Sequence, residues 1–174
     1  MKSSLLPLQK LENLICLEKD LKMYLYSDFS LKENRLKLCG FAKVNNWINL
    51  QELDLSFNQV GIEGEKVLAS SMSWINLIKL YSDANKITGC ELAKNTSWRS
   101  LEHLNLANNI IQSGRLVALK KSTSWECLEV INLSFTKVKK QPLPFNDSWN
   151  LKEFKCHNGP LWGIGSIIFD NASM

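Results

Sequence analysis

The residues of this chain that could carry out catalytic or metal chemistry are few and scattered. There are two histidines, His103 and His157, and an odd number of cysteines. No two cysteines have the CxxC spacing of zinc sites or redox motifs, so we predict neither a metal site nor a disulfide framework. Free thiols of this kind are typical of a reducing, intracellular compartment. The cysteines are Cys16, Cys39, Cys90, Cys127 and Cys156.

Enzyme motifs are also missing from the sequence. The glycine pairs at 61–64 and 163–165 lack the Lys-Ser/Thr that a phosphate-binding loop needs. No GxSxG nucleophile elbow occurs. Glu52 and Asp54 are close together, but an acidic pair on an open strand face is usually only solvated. We therefore predict a protein that is not an enzyme, with no catalytic residues and no cofactor.

Charge and hydropathy disfavour two classes of partner. The net charge is +4, and the only dense basic run, Lys137, Lys139 and Lys140, is best interpreted as a solvated loop. Nucleic-acid binding needs basic residues gathered on one face. No apolar run approaches the roughly eighteen residues of a membrane span, and the N-terminus makes a poor secretion signal. We predict no nucleic-acid and no membrane partner, and an intracellular location.

The elements that must position the remaining side chains are set by a tryptophan repeat. Tryptophans recur at intervals of 27, 24, 27 and 24 residues. A leucine follows two or three positions later, and another apolar residue three positions after that. A repeat of this length indicates a stacked solenoid. The five units begin at Trp47, Trp74, Trp98, Trp125 and Trp149, and are called units 1 to 5 below.

Each unit divides into a strand and a returning segment. Leucines alternate with polar residues in Leu53-Asp54-Leu55, which predicts a half-buried strand, and stacked strands would form a parallel sheet. The returning segments from Gly61 and Gln112 read as short helices, and the one from Thr88 is three residues shorter. In unit 4, Pro142 and Pro144 oppose a helix.

Units such as Trp98-RSLEHLNLANNII carry the pattern LxxLxLxxNxL. Over residues 47–161 the chain thus resembles the leucine-rich repeat. The resemblance implies an α/β solenoid with a curved parallel sheet on its concave face and short helices or turns on its convex face. The alternating unit lengths resemble the ribonuclease-inhibitor-like subclass. The Asn-Thr-Ser-Trp boundary resembles leucine-rich proteins of intracellular bacteria, some of which are delivered into a host cytosol.

Two sets of residues are predicted to be structural. A tryptophan held in register with core leucines is more often buried packing than a binding contact, so we assign all five repeat tryptophans to the core. The family's asparagine position is expected to hydrogen-bond the backbone where each strand turns away. It is occupied by Asn58, Asn85 and Asn109, and by Thr136 in unit 4. Asn95, in a glycosylation sequon just before Trp98, is expected to cap a turn.

The two ends of the chain read less clearly. Residues 1–46 are expected to hold an N-terminal cap helix and a degenerate repeat with Tyr24 and Tyr26 in the leucine positions. Residues 162–174 are expected to form a truncated repeat or a cap. Together with the repeats at 47–161, these make three regions.

The concave face of the sheet is the predicted binding surface. Four columns of residues are expected to point outward from it: Glu52, Lys79, His103, Val130 and Glu153; then Asp54, Tyr81, Asn105, Asn132 and Lys155; then Ser56, Asp83, Ala107, Ser134 and His157; then Phe57, Ala84, Asn108, Phe135 and Asn158. Aromatic residues without a core role are enriched at interfaces. Phe57, Tyr81 and Phe135 are therefore the candidate anchors.

The predicted function is non-catalytic binding of a partner protein on this face. Asp54, Lys79, Asp83, His103 and Asn105 are expected to set its specificity. Two alternatives stay open. The chain could be the adaptor or substrate-recognition arm of a larger signalling or ubiquitin-ligase assembly, or it could inhibit an enzyme directly. Neither the partner's identity nor the oligomeric state follows from the sequence.

Overall fold

The structure, a computed structural model, describes residues 28–30, 32, 47–138, 148–157 and 166–168. Its strands are three residues long, and the first six follow one another at intervals close to the repeat length. They are β1 (Asp28–Ser30), β2 (Glu52–Asp54), β3 (Lys79–Tyr81), β4 (His103–Asn105), β5 (Val130–Asn132), β6 (Glu153–Lys155) and β7 (Ser166–Ile168).

These strands form one sheet in chain order. Strands β1 to β6 pair in parallel, and each of the five units contributes one strand from β2 onward. The central apolar residue of each strand pairs with its counterpart in the next unit, as Leu53 does with Leu80 and Leu80 with Leu104. The fold is therefore the α/β leucine-rich-repeat solenoid that the repeat pattern predicts.

The core lies beneath the sheet and is continuous from unit to unit. Leu53, Leu80 and Leu104 are buried, while the residues on either side of each are only partly covered. A three-residue strand buries too little apolar surface to be stable alone. Stacking supplies the missing cover, because the apolar edge of each unit packs against the next.

The repeat tryptophans form a ladder along one side of this core. Successive ring centroids are separated by 6.0, 6.2, 6.5 and 6.0 Å, and the first three pairs are stacked. Such distances suit offset aromatic packing. The indole N–H of Trp149 donates to the backbone oxygen of Ser122 at 3.3 Å. The tryptophans thus join each unit to its neighbours at the entry to the strand.

The convex segments alternate in length as the repeat intervals do. The two 27-residue units carry helices α1 (Gly61–Ala69) and α2 (Ser113–Lys120). The 24-residue unit 2 has room only for a 3-10 helix, Leu92–Lys94. The segment with Pro142 and Pro144 lies outside the described residues.

An asparagine ladder follows the strands where the chain leaves the sheet. Asn109 Nδ2 donates to the backbone oxygens of Ser82, Leu106 and Ala107 at 2.8 to 3.1 Å. Its Oδ1 accepts from the backbone N–H groups of Asn85 and Ile87. Buried backbone groups need such partners. In unit 4 the Thr136 hydroxyl takes this place and donates to Leu133 O at 2.7 Å.

The register of the first strand corrects one expectation. Phe29 pairs with Leu53, so Tyr24 and Tyr26 do not stand in the leucine positions. Phe29 precedes Leu53 by 24 residues, which is the length of a short unit. The predicted cap helix lies outside the described residues.

The last strand reverses direction. Strand β7 pairs antiparallel with β6, with Ile167 opposite Phe154. A seventh strand that continued the repeat would run parallel to β6. The end of the described chain therefore folds back along the sheet instead of adding another unit.

Candidate functional site

The concave face of the sheet carries two columns in the predicted register. Glu52 pairs with Lys79 and Lys79 with His103, while Asp54 pairs with Tyr81 and Tyr81 with Asn105. All five strand positions of each column, through Glu153 and Lys155, are partly covered. The sheet thus sets ten side chains side by side on one surface.

One ion pair lies near each end of this surface. Lys79 Nζ lies 3.3 Å from Glu52 Oε2, and Lys155 Nζ lies 3.1 Å from Glu153 Oε2. The bond to Glu52 raises the pKa of Lys79 above its usual value, chiefly through hydrogen bonding and then through charge attraction. Lys79 is therefore held in its charged form next to its carboxylate partner.

The second column has a backbone role that the sequence did not reveal. The side-chain oxygens of Asp54, Asn105 and Asn132 each accept a hydrogen bond from the backbone N–H two residues further on, at 2.9 to 3.1 Å. Asp and Asn commonly stabilise turns in this way. These side chains hold the exit from the strand, and only their remaining atoms face outward.

Asp83 is the centre of a network that spans three units. Its Oδ1 accepts from Ser56 Oγ at 2.6 Å and from Asn105 Nδ2 at 3.0 Å. The carboxylate is thereby fixed in orientation between units 1 and 3. Three predicted specificity residues are thus linked: Ser56 donates to both Asp54 and Asp83, and Asn105 donates to Asp83.

Three of the five residues of the third column do not point outward as expected, whereas Asp83 is partly exposed and His157 is exposed. Ser56, Ala107 and Ser134 are only 4, 6 and 4 % exposed. The chain leaves the strand at this position, and backbone hydrogen bonds between successive turns cover it, as from Phe57 N to Asp83 O. The prediction of four outward columns was wrong here, since period-two alternation ends where the strand ends.

The fourth column has an unusual backbone, and its two phenylalanines are exposed. Phe57 and Phe135 have φ angles of 58° and 57°, and Ala84 and Asn108 share this left-handed conformation. A bulky residue is rarely found there. The two phenylalanine rings are 48 % and 63 % exposed. Asn158, the remaining member of the column, lies outside the described residues.

The three candidate anchors do not form one aromatic cluster. Phe57 and Phe135 belong to units 1 and 4, so three strand steps, or roughly 14 Å, separate them. Tyr81 lies between them in sequence but sits on the sheet, where burial and then the charge of Glu52 raise its pKa. Lys32 Nζ lies 5.3 Å from the centroid of the Phe57 ring, a cation–π distance.

One contact on this face resembles a nucleophile and its base. Ser134 Oγ and His157 Nδ1 are 3.1 Å apart. The same hydroxyl accepts the backbone N–H of His157, and the equivalent Ser56 bonds Asp83 from the next unit. The contact therefore belongs to the repeat's turn network. Within the described ranges, no three His, Cys, Asp or Glu residues are grouped so as to hold a metal ion.

Two buried polar residues have roles that the sequence revealed only in part or not at all. Glu65 is fully buried on the convex side and accepts four hydrogen bonds from unit 2. Asn95, expected to cap a turn, donates to Ala69 O and Ser71 O and accepts from the N–H of Trp98. An alignment of the units could have drawn attention to Glu65, because unit 3 has the apolar residue Leu116 at the same repeat position.

Comparison with known proteins bears on the fold. Residues 48–69, which cover β2 and α1, match the family model described as Leucine Rich repeat. No curated protein sequence matches the chain. Among the described residues, no helix has the length and apolar character to cross a membrane. The matched unit and the parallel strands that stack with it fit a leucine-rich-repeat solenoid of the α/β class.

Proposed function

We propose that the chain is a non-catalytic interaction module that binds a partner protein on the concave face of its sheet. Leucine-rich repeats are in general protein-binding modules, and solenoid curvature creates an extended concave surface for that purpose. The choice of this face over the convex side depends on Phe57 and Phe135.

The two phenylalanines support the proposal because their backbone conformation is costly and neither side chain belongs to the core, the contact of Phe57 with Lys32 being on the surface. Ala84 and Asn108 adopt the same left-handed conformation, so the repeat imposes it whatever the side chain. Glycine or asparagine is the usual residue there. The chain instead has phenylalanine twice and leaves both rings largely in solvent. Strained residues of this type cluster at functional sites.

The charges of the face favour a protein over a nucleic acid. The columns on the strands and their exits carry Glu52, Asp54, Asp83 and Glu153 against Lys79 and Lys155. This local excess of acid opposes the positive charge of the whole chain. A phosphate backbone would be repelled here. Fixed carboxylates such as Asp83 suit hydrogen-bond donors of a partner protein.

We infer that the module works in a reducing, intracellular compartment, because the thiols of Cys90 and Cys127 are free. An adaptor arm and a direct inhibitor would both use the same concave face. The identity of the bound protein distinguishes these two roles.

The test is a comparison of binding constants for one identified partner. Proteins captured on the wild-type chain would be identified by mass spectrometry, and each would then be purified and titrated against the wild type and a Phe57→Ala/Tyr81→Ala variant. Loss of buried aromatic anchors costs about 2 kcal/mol or more each. We expect the dissociation constant to rise by at least about thirtyfold.

The control variant lies on the convex side. Ile62 and Val117 are exposed on α1 and α2, and an Ile62→Ala/Val117→Ala variant removes apolar area away from the sheet. It should bind as the wild type does. Equal affinity of the concave variant and the wild type would contradict the proposal, and so would selective loss of binding in the convex variant.

A further inference from the structure

The buried carboxylate of Glu65 occupies a position that the following units give to leucine. Eighteen residues after the repeat tryptophan stand Glu65, Leu92, Leu116 and Leu143. Leu92 and Leu116 are buried in the core, and Glu65 is equally buried on helix α1. A charged group in place of a core leucine is costly unless its hydrogen bonds are satisfied. Unit 1 must therefore have a use for it.

The partners of Glu65 all come from the convex segment of unit 2. Oε2 accepts from the N–H and the hydroxyl of Thr88, at 2.7 and 2.9 Å. Oε1 accepts from the N–H of Glu91 at 2.8 Å and from that of Leu92 at 3.4 Å. Within the described part of the chain, no basic side chain pairs with Glu65. Its charge is balanced by backbone dipoles.

The N–H of Glu91 is one that a short unit leaves without an acceptor in its own helix. In the long units the first turn of each helix bonds within itself, as from Gly64 N to Val60 O and from Arg115 N to Gln112 O. Unit 2 has three residues fewer and forms only Leu92–Lys94 as a 3-10 helix. Its leading N–H groups point instead at the preceding unit, where Glu65 accepts them.

Unit 4 is the other 24-residue unit, and its sequence differs at both positions of this contact. The alignment offset of 51 residues places Leu116 opposite Glu65 and Pro142 opposite Glu91. Proline has no backbone N–H. Unit 3 thus has no carboxylate at the position of Glu65, and unit 4 has no N–H at the position of Glu91.

We propose that Glu65 is a cap between units that allows a 24-residue unit to follow a 27-residue one, and that Pro142 is the alternative solution at the second such junction. In the sequence, the first junction combines Glu65 with the N–H-bearing Glu91, and the second combines Leu116 with Pro142. The mixed combination of leucine with an N–H-bearing residue leaves a buried donor unsatisfied, which is the costly case.

The experiment is a double-mutant cycle that introduces the leucine and the proline of the second junction at the first junction. The variants are Glu65→Leu, Glu91→Pro and both together. The φ angle of Glu91 is −77°, which a proline ring tolerates. Unfolding constants from urea titration are the readout. We expect Glu65→Leu to raise the unfolding constant by at least about tenfold. Adding Glu91→Pro should recover part of that loss.

A matched control separates the effect of losing the Glu91 N–H from the effect of losing the Glu91 side chain. Glu91→Ala keeps the N–H, so adding it to the Glu65→Leu variant should bring no recovery. Equal effects of Glu91→Pro in the wild-type and Glu65→Leu backgrounds would overturn the proposal, because the two positions would then be uncoupled. Wild-type stability of the Glu65→Leu variant would also overturn it.

A milder variant covers the case in which Glu65→Leu does not fold. Glu65→Gln keeps the volume and one oxygen but turns a donor toward the N–H groups of unit 2. Hydrogen exchange at Thr88, Glu91 and Leu92 should then be at least about tenfold faster, while β2 and β3 keep their protection. Unchanged exchange at these three amides would contradict the proposal.

Discussion

Trp98 and Phe135 differ in burial because they occupy different positions within the repeat unit. Trp98 stands before the strand, between the stacked rings of Trp74 and Trp125, and is fully buried. Phe135 stands after the strand and is mostly exposed. Residue type therefore predicts neither burial nor function here until the position within the unit is known.

Removing a ring from the tryptophan ladder should cost the fold heavily. Burial of a tryptophan and the cavity left by its loss together lead us to expect that Trp98→Ala lowers the free energy of unfolding by about 3–5 kcal/mol. Phe135→Ala is the matched control and should change it by no more than about 0.5 kcal/mol. Chemical denaturation measures both. A Trp98→Ala protein as stable as the wild type would contradict a core role for the ladder.

The cysteines differ in reactivity for a physical reason. Burial raises the pKa of the Cys156 thiol, and Cys127 is exposed. The thiolate is the reactive form, so at a given pH the buried Cys156 should react more slowly with iodoacetamide than the exposed Cys127. Peptide mapping after timed alkylation of the folded protein measures this difference. Equal rates would show that Cys156 is not protected by the fold.

At the scale of elements, the sequence predicts what repeats and misses what occurs once. Five tryptophans in register predict β2 to β6, because each strand fills the same position in the stack. Helices α1 and α2 follow from the length of the convex segments. Strand β7 could not be predicted, since no other described strand pairs in antiparallel form.

The candidate site, like the fold, could be predicted from the sequence only in part. The columns through Lys79 and Tyr81 follow from strand alternation, and their register is as expected. The third column failed because Ser56 and Ser134 lie beyond the strand, where turns govern burial. The left-handed backbone of Phe57 leaves no trace in a pattern of apolar and polar residues, because φ is set by the hydrogen bonds of neighbouring units.

A buried asparagine of the ladder should contribute more to the free energy of unfolding than an exposed asparagine does. Asn109 satisfies three backbone oxygens and two N–H groups that lie in the core. We expect Asn109→Ala to lower the free energy of unfolding by about 3 kcal/mol, since buried groups lose their partners. Asn76→Ala removes a single exposed bond to Ile48 O and is the control. Thermal and chemical denaturation should rank the two in this order.

At the scale of the whole molecule, stability should fall at alkaline pH. Burial raises the pKa of Tyr81 and of Cys156 above their usual values. The folded chain then holds these protons more tightly than the unfolded chain. Their stabilising effect is complete below the unfolded pKa and is lost as pH rises through the folded pKa.

The free energy of unfolding should therefore decline as pH rises above the ordinary pKa values of a thiol and a phenol, 9.0 and 10.0. Tyr81→Phe removes one of them, so its decline should be shallower than that of the wild type. Urea titrations at several pH values measure both slopes. Parallel slopes for the two proteins would mean that burial of Tyr81 has no effect on its ionisation.

The molecule as a whole is a stack with two different faces. The convex face is engaged in capping and packing between units, as Glu65 shows. The concave face carries fixed carboxylates, ion pairs and two strained, exposed phenylalanines. These features of the concave face are the reason why we propose it as the surface for a protein partner.

The most direct test of this account is site-specific photocrosslinking. A benzophenone amino acid would replace Phe135 on the concave side in one variant and Val117 on the convex side in another, and each would be irradiated with the purified partner. If the partner binds the concave face, a crosslinked complex should form from position 135 and none from position 117. Crosslinking from position 117 alone would show that the partner binds the convex side.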